Sequence, residues 1–218
     1  TMSVTPPFAT GWLIPRLSRF QVAQPDIEVR LSLFTSSELV DFTRSDVDLV
    51  IRYGELDRAG IANHRLIAEE LVPVCSPTLL EESGPLRRPE DLRHTTLLHA
   101  LPRLGQWRLW LNAAGVTEVN TERGPKFHNT PLTLQAAVAG MGVAIADRRL
   151  VAKELESGRL VVPFEMSLPG ESAYYLVYPA ERADNPKIAG FRDWLLGEVA
   201  KAGDESAVVL TEPQVAVP

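Results

Sequence analysis

Hydroxyl, phenol, imidazole and amide side chains occur at several points where the chain changes from an extended to a helical pattern. Such groups hydrogen-bond the carboxylate, ammonium or hydroxyl groups of small molecules. With the small residues beside them, these positions are Thr5, Pro6, Pro7, Thr35, Ser36, Tyr53, Gly54, His99, Ala100, Asn129 and Thr130. Their types favour ligand binding over bond-breaking chemistry.

Covalent catalysis has no support in the sequence. No G-x-S-x-G turn surrounds a serine, no pair of carboxylates stands out from the solvated acids, and Cys75 has no base nearby. Four scattered histidines and one thiol lack zinc-ligand spacing. Residues 140–142 (Gly-Met-Gly) join a helix to a strand, the reverse of the dinucleotide-binding order. We therefore predict no enzymatic activity, no metal and no cofactor.

The composition limits the partners of the chain. Its 218 residues include 28 acidic and 22 basic side chains, a net charge of −6, and no run of five basic residues. It therefore lacks the basic surface that neutralises phosphates. The longest apolar stretches are far shorter than the roughly 18 residues of a membrane span, and a single cysteine fits a reducing compartment. We predict a globular cytoplasmic protein without membrane contact.

The first part of the chain alternates strands and helices. Apolar residues recur at helical spacing over 8–20, and Pro15 kinks this helix or starts its regular part. Residues 27–33 alternate apolar and polar types, which predicts a strand with one buried face. A short helix is expected at 36–43, and 47–51 has the composition of a strand buried on both faces. This order predicts a parallel sheet with right-handed crossovers.

A second α/β segment follows. Strands are predicted at 95–99, near Lys126 and at 142–146, and helices at 106–114 and 131–139. Asp147 is expected to cap another helix that ends at Gly158, with an edge strand after it at 160–163. A strand at 173–178 and an amphipathic helix at 187–201 complete the pattern. Residues 203–218 lack the periodic apolar pattern of a buried helix or strand, which predicts a flexible tail.

Two extended segments, 72–76 and 174–178, are the expected crossings between two lobes. Pro73 suits the edge or the exit of a sheet. The predicted fold class is therefore α/β, with two Rossmann-like subdomains joined by two crossover strands. Ligands of open parallel sheets bind beyond the carboxyl ends of the strands, and a cleft between lobes is the default site. The candidate binding residues fall at these strand ends.

Ordered motifs resemble the effector-binding region of LysR-type transcriptional regulators. They lie at 3–9, 12–17, 48–54, 71–77, 107–115, 134–144 and 191–195, and the resemblance covers about residues 1–202. The run Ile51-Arg52-Tyr53-Gly54 resembles the subgroup that contains glycine-cleavage and β-lactamase regulators. Single motifs are weak, but their order and coverage are specific.

The resemblance implies two subdomains of the type 2 periplasmic-binding-protein kind, formed by 1–73 with 176–202 and by 74–175. It implies a small-molecule effector in the cleft between them, an amino acid, aromatic acid or cell-wall peptide. The resemblance also implies a winged helix-turn-helix before Thr1 that would make the DNA contacts. The chain opens flush at a domain edge, which predicts that it is a fragment of a longer protein. The family also implies antiparallel homodimers, and tetramers at full length. Exposed Ile14, Phe20 or Leu150 would support dimerisation.

The resemblance and the predicted strand ends add Asp41, His128 and Tyr174 to the candidate effector site. Each candidate has a structural alternative: Asp41 can complement a helix dipole, Tyr53 can be packing, and Asn129 can be a helix cap. Pro7 departs from the Ser or Thr often found there, so a hydroxyl and an amide donor are missing. Two other classes stay open, an enzyme on the same two-lobed fold and an exported solute-binding protein.

Overall fold

The computed structural model describes residues 1–34, 41–42 and 45–203. Its tertiary contacts divide the chain into two units. Unit 1 contains Thr1–Ala9, Leu13–Ala68 and the chain from Glu171 onward, and unit 2 contains Thr10–Trp12 and Glu69–Gly170. The expected helix at 36–43, Thr35 and Ser36, and the tail beyond Gly203 fall wholly or mainly outside the described residues.

The elements alternate as the sequence predicts. The strands are β1 (Met2–Val4), β2 (Leu31–Leu33), β3 (Leu49–Tyr53), β4 (Ile61–Val74), β5 (Leu97–Ala100), β6 (Lys126–Phe127), β7 (Val143–Asp147) and β8 (Leu168–Pro179). The α-helices are α1 (Pro6–Phe8), α2 (Ile14–Ala23), α3 (Pro77–Ser83), α4 (Gln106–Ala113), α5 (Thr130–Val138), α6 (Ala152–Glu156) and α7 (Pro186–Lys201). A π-helical turn, Ala9–Leu13, joins α1 to α2.

Unit 1 is built on the strand order β2-β1-β3-β8, with β4 next to β8. Strand β1 runs parallel to β2 and β3, and β3 runs antiparallel to β8. Its helices α2 and α7 meet through aromatic rings, because Phe20 lies 5.1 Å from both Phe191 and Trp194 between ring centroids. This buried contact explains why the apolar positions of both helices are visible in the sequence.

Unit 2 has the strand order β4-β7-β5-β6, antiparallel between β4 and β7 and parallel thereafter. Helix α4 buries Trp107, Trp110 and Leu111 in one cluster, and α5 buries Ala136 and Ala137 in another. Pro73 is tolerated because residues 71, 73 and 75 direct their backbone polar groups away from β7, and Cys75 bonds Val161 on that side.

The most regular alternation in the sequence forms the least buried strand. Only Leu31–Leu33 of the segment 27–33 pairs, and Leu33 is 60% exposed rather than buried. The strand is therefore shorter than predicted, and its apolar face is only partly buried, because Ile27, Val29 and Leu31 are half-buried and Leu33 is exposed. Strand β2 is the outer strand of its sheet and, among the described strands, pairs only with β1, while Ile27 just before it lies against Gly190 of α7.

Asp147 does not cap the following helix, contrary to the sequence prediction. Helix α6 begins at Ala152 with Val151 at its N-cap. Asp147 instead ends β7, and its Oδ1 accepts the Arg149 N–H at 3.1 Å. Residues 160–163 form only the bridge from Val161 to Cys75 rather than a strand.

The helices α4, α5 and α7 confirm the predicted helices within a residue or two, and Gly158 follows α6 at φ 69° as a C-terminal glycine must. Of the three apolar residues expected on a dimer surface, Ile14 is 52% exposed, but Phe20 and Leu150 are buried. No helix among the described residues is long and apolar enough to cross a membrane.

Candidate functional site

Thr5 connects the first strand to the first helix of unit 1. It stands at the N-cap of α1 in an extended conformation, and its N–H donates to Ile51 O at 3.1 Å. Its side chain makes no capping hydrogen bond, and one of the two usual donors is absent because Pro7, two residues on, has no N–H. Thr5 is buried, yet within the described residues its Oγ1 has no hydrogen-bond partner.

The orphaned Thr5 hydroxyl has a free-energy cost. A buried hydroxyl without a partner destabilises a fold by about 1–3 kcal/mol. Evolution tolerates such a group chiefly where a bound water, ion or ligand satisfies it. The hydroxyl is therefore the feature of unit 1 that most directly indicates a ligand contact.

Three aromatic rings lie together in the same unit. The Phe8 ring is 5.2 Å from the Tyr174 ring, and the Tyr174 ring is 5.4 Å from the Tyr53 ring. Tyr53 Oη accepts the Ser172 N–H at 2.9 Å, which anchors the end of β3 to β8. Tyr174 is buried and Tyr53 is partly exposed. The structure thus brings Tyr53 and Tyr174 together, as part of one aromatic cluster with Phe8.

Pro6 and Pro7 weaken the start of α1 as an anion site. The N-terminal amides of a helix normally point at an anion. Two of these amides are absent here, and the Ala9 N–H is used by Thr5 O at 3.0 Å. Gly54, at φ 85°, donates its N–H to Ala173 O at 2.9 Å and has open space where a side chain would stand. Its conformation favours glycine, and it leaves the backbone accessible.

In unit 2, Asn129 is the N-cap of α5. Its Oδ1 accepts the Leu132 N–H at 3.0 Å, and its carbonyl accepts the Thr133 N–H at 3.2 Å. Pro131 has no N–H, so Thr130 holds the one amide of this first turn that these contacts do not use. Asn129 is therefore a helix cap, which was the structural alternative to ligand binding. The cap uses its side-chain oxygen and not its side-chain nitrogen.

His99 is committed to the backbone. It is buried, and its Nε2 lies 3.0 Å from Arg123 O. Ala100 is buried beside it at the end of β5. His128 is exposed, and Asp41 is half-buried and its carbonyl accepts the Ser45 hydroxyl at 2.8 Å. His99 and His128 belong to no metal-binding cluster, because the described residues contain no group of three His, Cys, Asp or Glu side chains that could hold a metal ion.

Sequence reasoning missed a buried acidic group. Asp147 is buried in unit 2, and its pKa is raised to about 7, first of all by burial. Glu69 is also buried and forms an ion pair with Arg103. Cys75 is an unreactive thiol, because burial raises its pKa to about 11. Only the odd presence of an acid after four apolar residues, 143–146, could have drawn attention to Asp147.

Known proteins resemble about nine tenths of this chain. The LysR substrate binding domain matches residues 1–200. The glycine cleavage system transcriptional activator of Escherichia coli strain K12 is 42% identical over 200 residues, 92% of this chain and 65% of that protein. The HTH-type transcriptional activator AmpR of Citrobacter koseri is 32% identical over 196 residues, 90% of this chain and 66% of that protein. The chain thus spans just under two thirds of the length of these relatives.

A solved structure agrees with the sequence relatives. The effector domain of the transcriptional regulator AmpR of Pseudomonas aeruginosa has a TM-score of 0.78 and 31% identity to this chain, and the match covers 92% of this chain and 95% of that one. The mixed α/β architecture is therefore that of LysR effector domains, which resemble periplasmic binding proteins. The chain belongs to the LysR substrate-binding domain family.

Proposed function

We propose that this chain is the effector-sensing part of a LysR-type transcriptional regulator and that it acts without catalysing a reaction. Support comes from relatives that are transcriptional activators and from a chain that spans 65% of the first of them. The remaining length of such a relative is room for a DNA-binding domain. The regulator would work in the cytoplasm, where DNA is, and contact DNA only through that other domain.

The effector contacts Thr5 in unit 1. The single observation that carries this assignment is the buried Thr5 hydroxyl, which lacks a hydrogen-bond partner among the described residues. Tyr53, which is partly exposed, supplies ring surface in the same unit, and the buried rings of Tyr174 and Phe8 are packed behind it. Because two prolines remove amide donors from the start of α1, the hydroxyl and the rings, more than the helix amides, would hold the ligand.

The chemical class of the effector is an amino acid, an aromatic acid or a cell-wall peptide. Each of these carries a group that can hydrogen-bond a hydroxyl. Ala100, His128, Asn129 and Thr130 in unit 2, Asp41 and Gly54 in unit 1, and Thr35 and Ser36 stay predicted contacts. The subdomain limits predicted after residues 73 and 175 also stay predictions, as do the homodimer and the tetramer at full length.

Replacing Thr5 tests the effector assignment. Thr5→Val keeps the shape of the side chain and removes only the hydroxyl, so we expect the unliganded protein to gain about 1 kcal/mol of unfolding free energy. We expect the same variant to lose the thermal shift that the wild-type protein shows with a panel of the three ligand classes. A ligand at 100 times its dissociation constant adds about 2.7 kcal/mol.

Thr95→Val is the matched control. Its hydroxyl donates to Leu92 O at 3.1 Å, so its loss should cost about 1 kcal/mol and leave the ligand response intact. If Thr5→Val keeps the full ligand response, the Thr5 assignment is wrong. If no compound of the panel shifts the wild-type protein, the proposed effector classes are wrong.

A further inference from the structure

Unit 2 contains a carboxyl group that the effector assignment does not use. Asp147 is the last residue of β7 and is 6% exposed. Its Oδ1 accepts the Arg149 N–H at 3.1 Å, and its carbonyl accepts the Leu150 N–H at 3.0 Å. In the part of the chain that the structure describes, its Oδ2 has no hydrogen-bond partner. A buried carboxylate oxygen in this condition is costly unless it carries a proton.

A second buried carboxylate lies on the neighbouring strand. Glu69 is on β4, two residues before Leu71, which pairs with Asp147. Its side chain forms an ion pair with Arg103 and is itself 3% exposed. Gly170 makes this possible, because a Cβ at that position would overlap the Glu69 side chain. Glu69 is therefore fixed in place and already has a cation.

The other charged groups around Asp147 leave its charge poorly compensated. Glu70 on β4 pairs with Arg148 at 3.1 Å, and both side chains are about a third exposed. The charge of Arg149 and the N–H groups of Arg149 and Glu70 lower the pKa of Asp147. Burial and the charge of Glu69 raise it, and burial dominates, so the result is about 7. Asp147 therefore gains or loses its proton near neutral pH rather than at an acidic pH.

We propose that Asp147, a buried carboxyl on the strand beside that of the fixed Glu69–Arg103 pair, is a proton-binding site through which unit 2 responds to pH near neutrality. This inference does not depend on the identity of the effector. Protonation converts the unpartnered Oδ2 into a neutral hydroxyl and removes the repulsion from Glu69. Ionisation restores a buried charge that needs a donor.

The element that responds is the turn after β7, residues 148–151. The Asp147 carbonyl accepts the N–H groups of Leu150 and Val151, at 3.0 and 3.2 Å, and both side chains are buried. The backbone of Leu150 also packs directly against Gly11, where no Cβ would fit. Water can reach the ionised carboxylate if this turn loosens, so we expect the turn to be tighter at lower pH.

The sign of the linkage follows from the raised folded-state pKa. The stability from the Asp147 proton is complete below the ordinary aspartate pKa of about 3.9 and is lost as the pH rises through the folded-state pKa of about 7. From about pH 8 to about pH 6, the folding equilibrium constant should rise about tenfold on account of this one group.

Asp147→Asn tests the proposal, since the amide keeps the Oδ1 acceptor and cannot ionise. Urea unfolding followed by tryptophan fluorescence, which reports Trp12, Trp107 and Trp110 of unit 2 and Trp194 of unit 1, gives the equilibrium constant at each pH. The ratio of wild-type to variant constants should rise about tenfold from pH 8 to pH 6. Asp91→Asn is the control in the same unit, because N–H groups of Arg87 and Arg88 lower the pKa of Asp91. Its ratio should not change over this range.

A direct titration keeps the test valid if the variant does not fold. Carboxyl carbon chemical shifts of aspartate-labelled wild-type protein should show one residue that titrates near pH 7, whereas ordinary aspartates titrate near pH 4. The protection of the Leu150 and Val151 amides from hydrogen exchange should fall as the pH rises. A pH-independent ratio for Asp147→Asn, or no aspartate titrating above about pH 5, overturns the proposal.

Discussion

At the residue scale, Trp107 and Trp110 lie on the same face of α4 and differ in one hydrogen bond. Both are buried, but Trp107 Nε1 donates to Leu98 O at 3.0 Å, whereas Trp110 Nε1 has no partner among the described residues. Trp→Phe removes the same ring volume at both positions. We expect Trp107→Phe to cost about 1–2 kcal/mol more unfolding free energy than Trp110→Phe.

Urea unfolding of the two tryptophan variants measures this difference. The pair serves as its own control, because both side chains belong to one helix and one apolar cluster. Equal losses of stability in the two variants would show that the Trp107 hydrogen bond adds no measurable stability beyond ring packing.

The candidate site was predictable at this scale only in part. Thr5 and Asn129 were found because they stand where extended segments give way to helices. The sequence did not predict that the Thr5 hydroxyl lacks a hydrogen-bond partner, because this depends on burial by distant residues as well as on Pro7. The burial of His99 and its backbone contact to Arg123 have no sequence signal either. Sequence patterns locate polar residues, but partners and burial come from the tertiary structure.

At the element scale, two helical glycines differ in what surrounds them. Gly11 lies in the π-helical turn, and a Cβ there would overlap the Leu150 carbonyl. Gly197 lies inside α7 with open space around it in the described part of the chain. Gly→Ala favours a helix by up to about 1 kcal/mol, whereas overpacking costs about 1–3 kcal/mol.

We therefore expect opposite signs for the two substitutions. Gly197→Ala should raise the midpoint of thermal unfolding, and Gly11→Ala should lower it and the unfolding free energy by about 1–2 kcal/mol net. Differential scanning calorimetry measures both. Stabilisation by Gly11→Ala would mean that Leu150 moves away without loss of stability.

Helices were predicted better than strands because a helix carries its own periodicity. The apolar positions of α4 and α7 recur on one face and are buried, as their spacing requires. The alternation at 27–33 has the period of a strand but carries no information on whether a neighbour covers it. Ile27, Val29 and Leu31 are half-buried, whereas Leu33 at the end of the same pattern is exposed. The contacts of Asp147 with β4 were hidden for the same reason.

At the scale of the whole molecule, the regular alternation of strands and helices was sufficient for the α/β class. It was not sufficient for the oligomeric state, which depends on which apolar side chains reach the surface. Of the predicted dimer residues only Ile14 is exposed. Val22, on the same helix α2, is 85% exposed. Helix α2 therefore presents exposed apolar side chains, but these are Ile14 and Val22 rather than Phe20.

The proposed homodimer therefore makes its most direct prediction at Val22. If α2 lies in the dimer interface, Val22→Glu buries a charge without a partner, and we expect the dimer dissociation constant to rise at least about tenfold. The unfolding free energy of the monomer should stay within about 0.5 kcal/mol of the wild-type value, because Val22 is exposed.

Leu109→Glu on α4, 40% exposed, is the control and should leave the dissociation constant unchanged. Sedimentation velocity over a concentration series measures both. A wild-type protein that stays monomeric would contradict the homodimer, and a dimer weakened only by Leu109→Glu would place the interface elsewhere than α2.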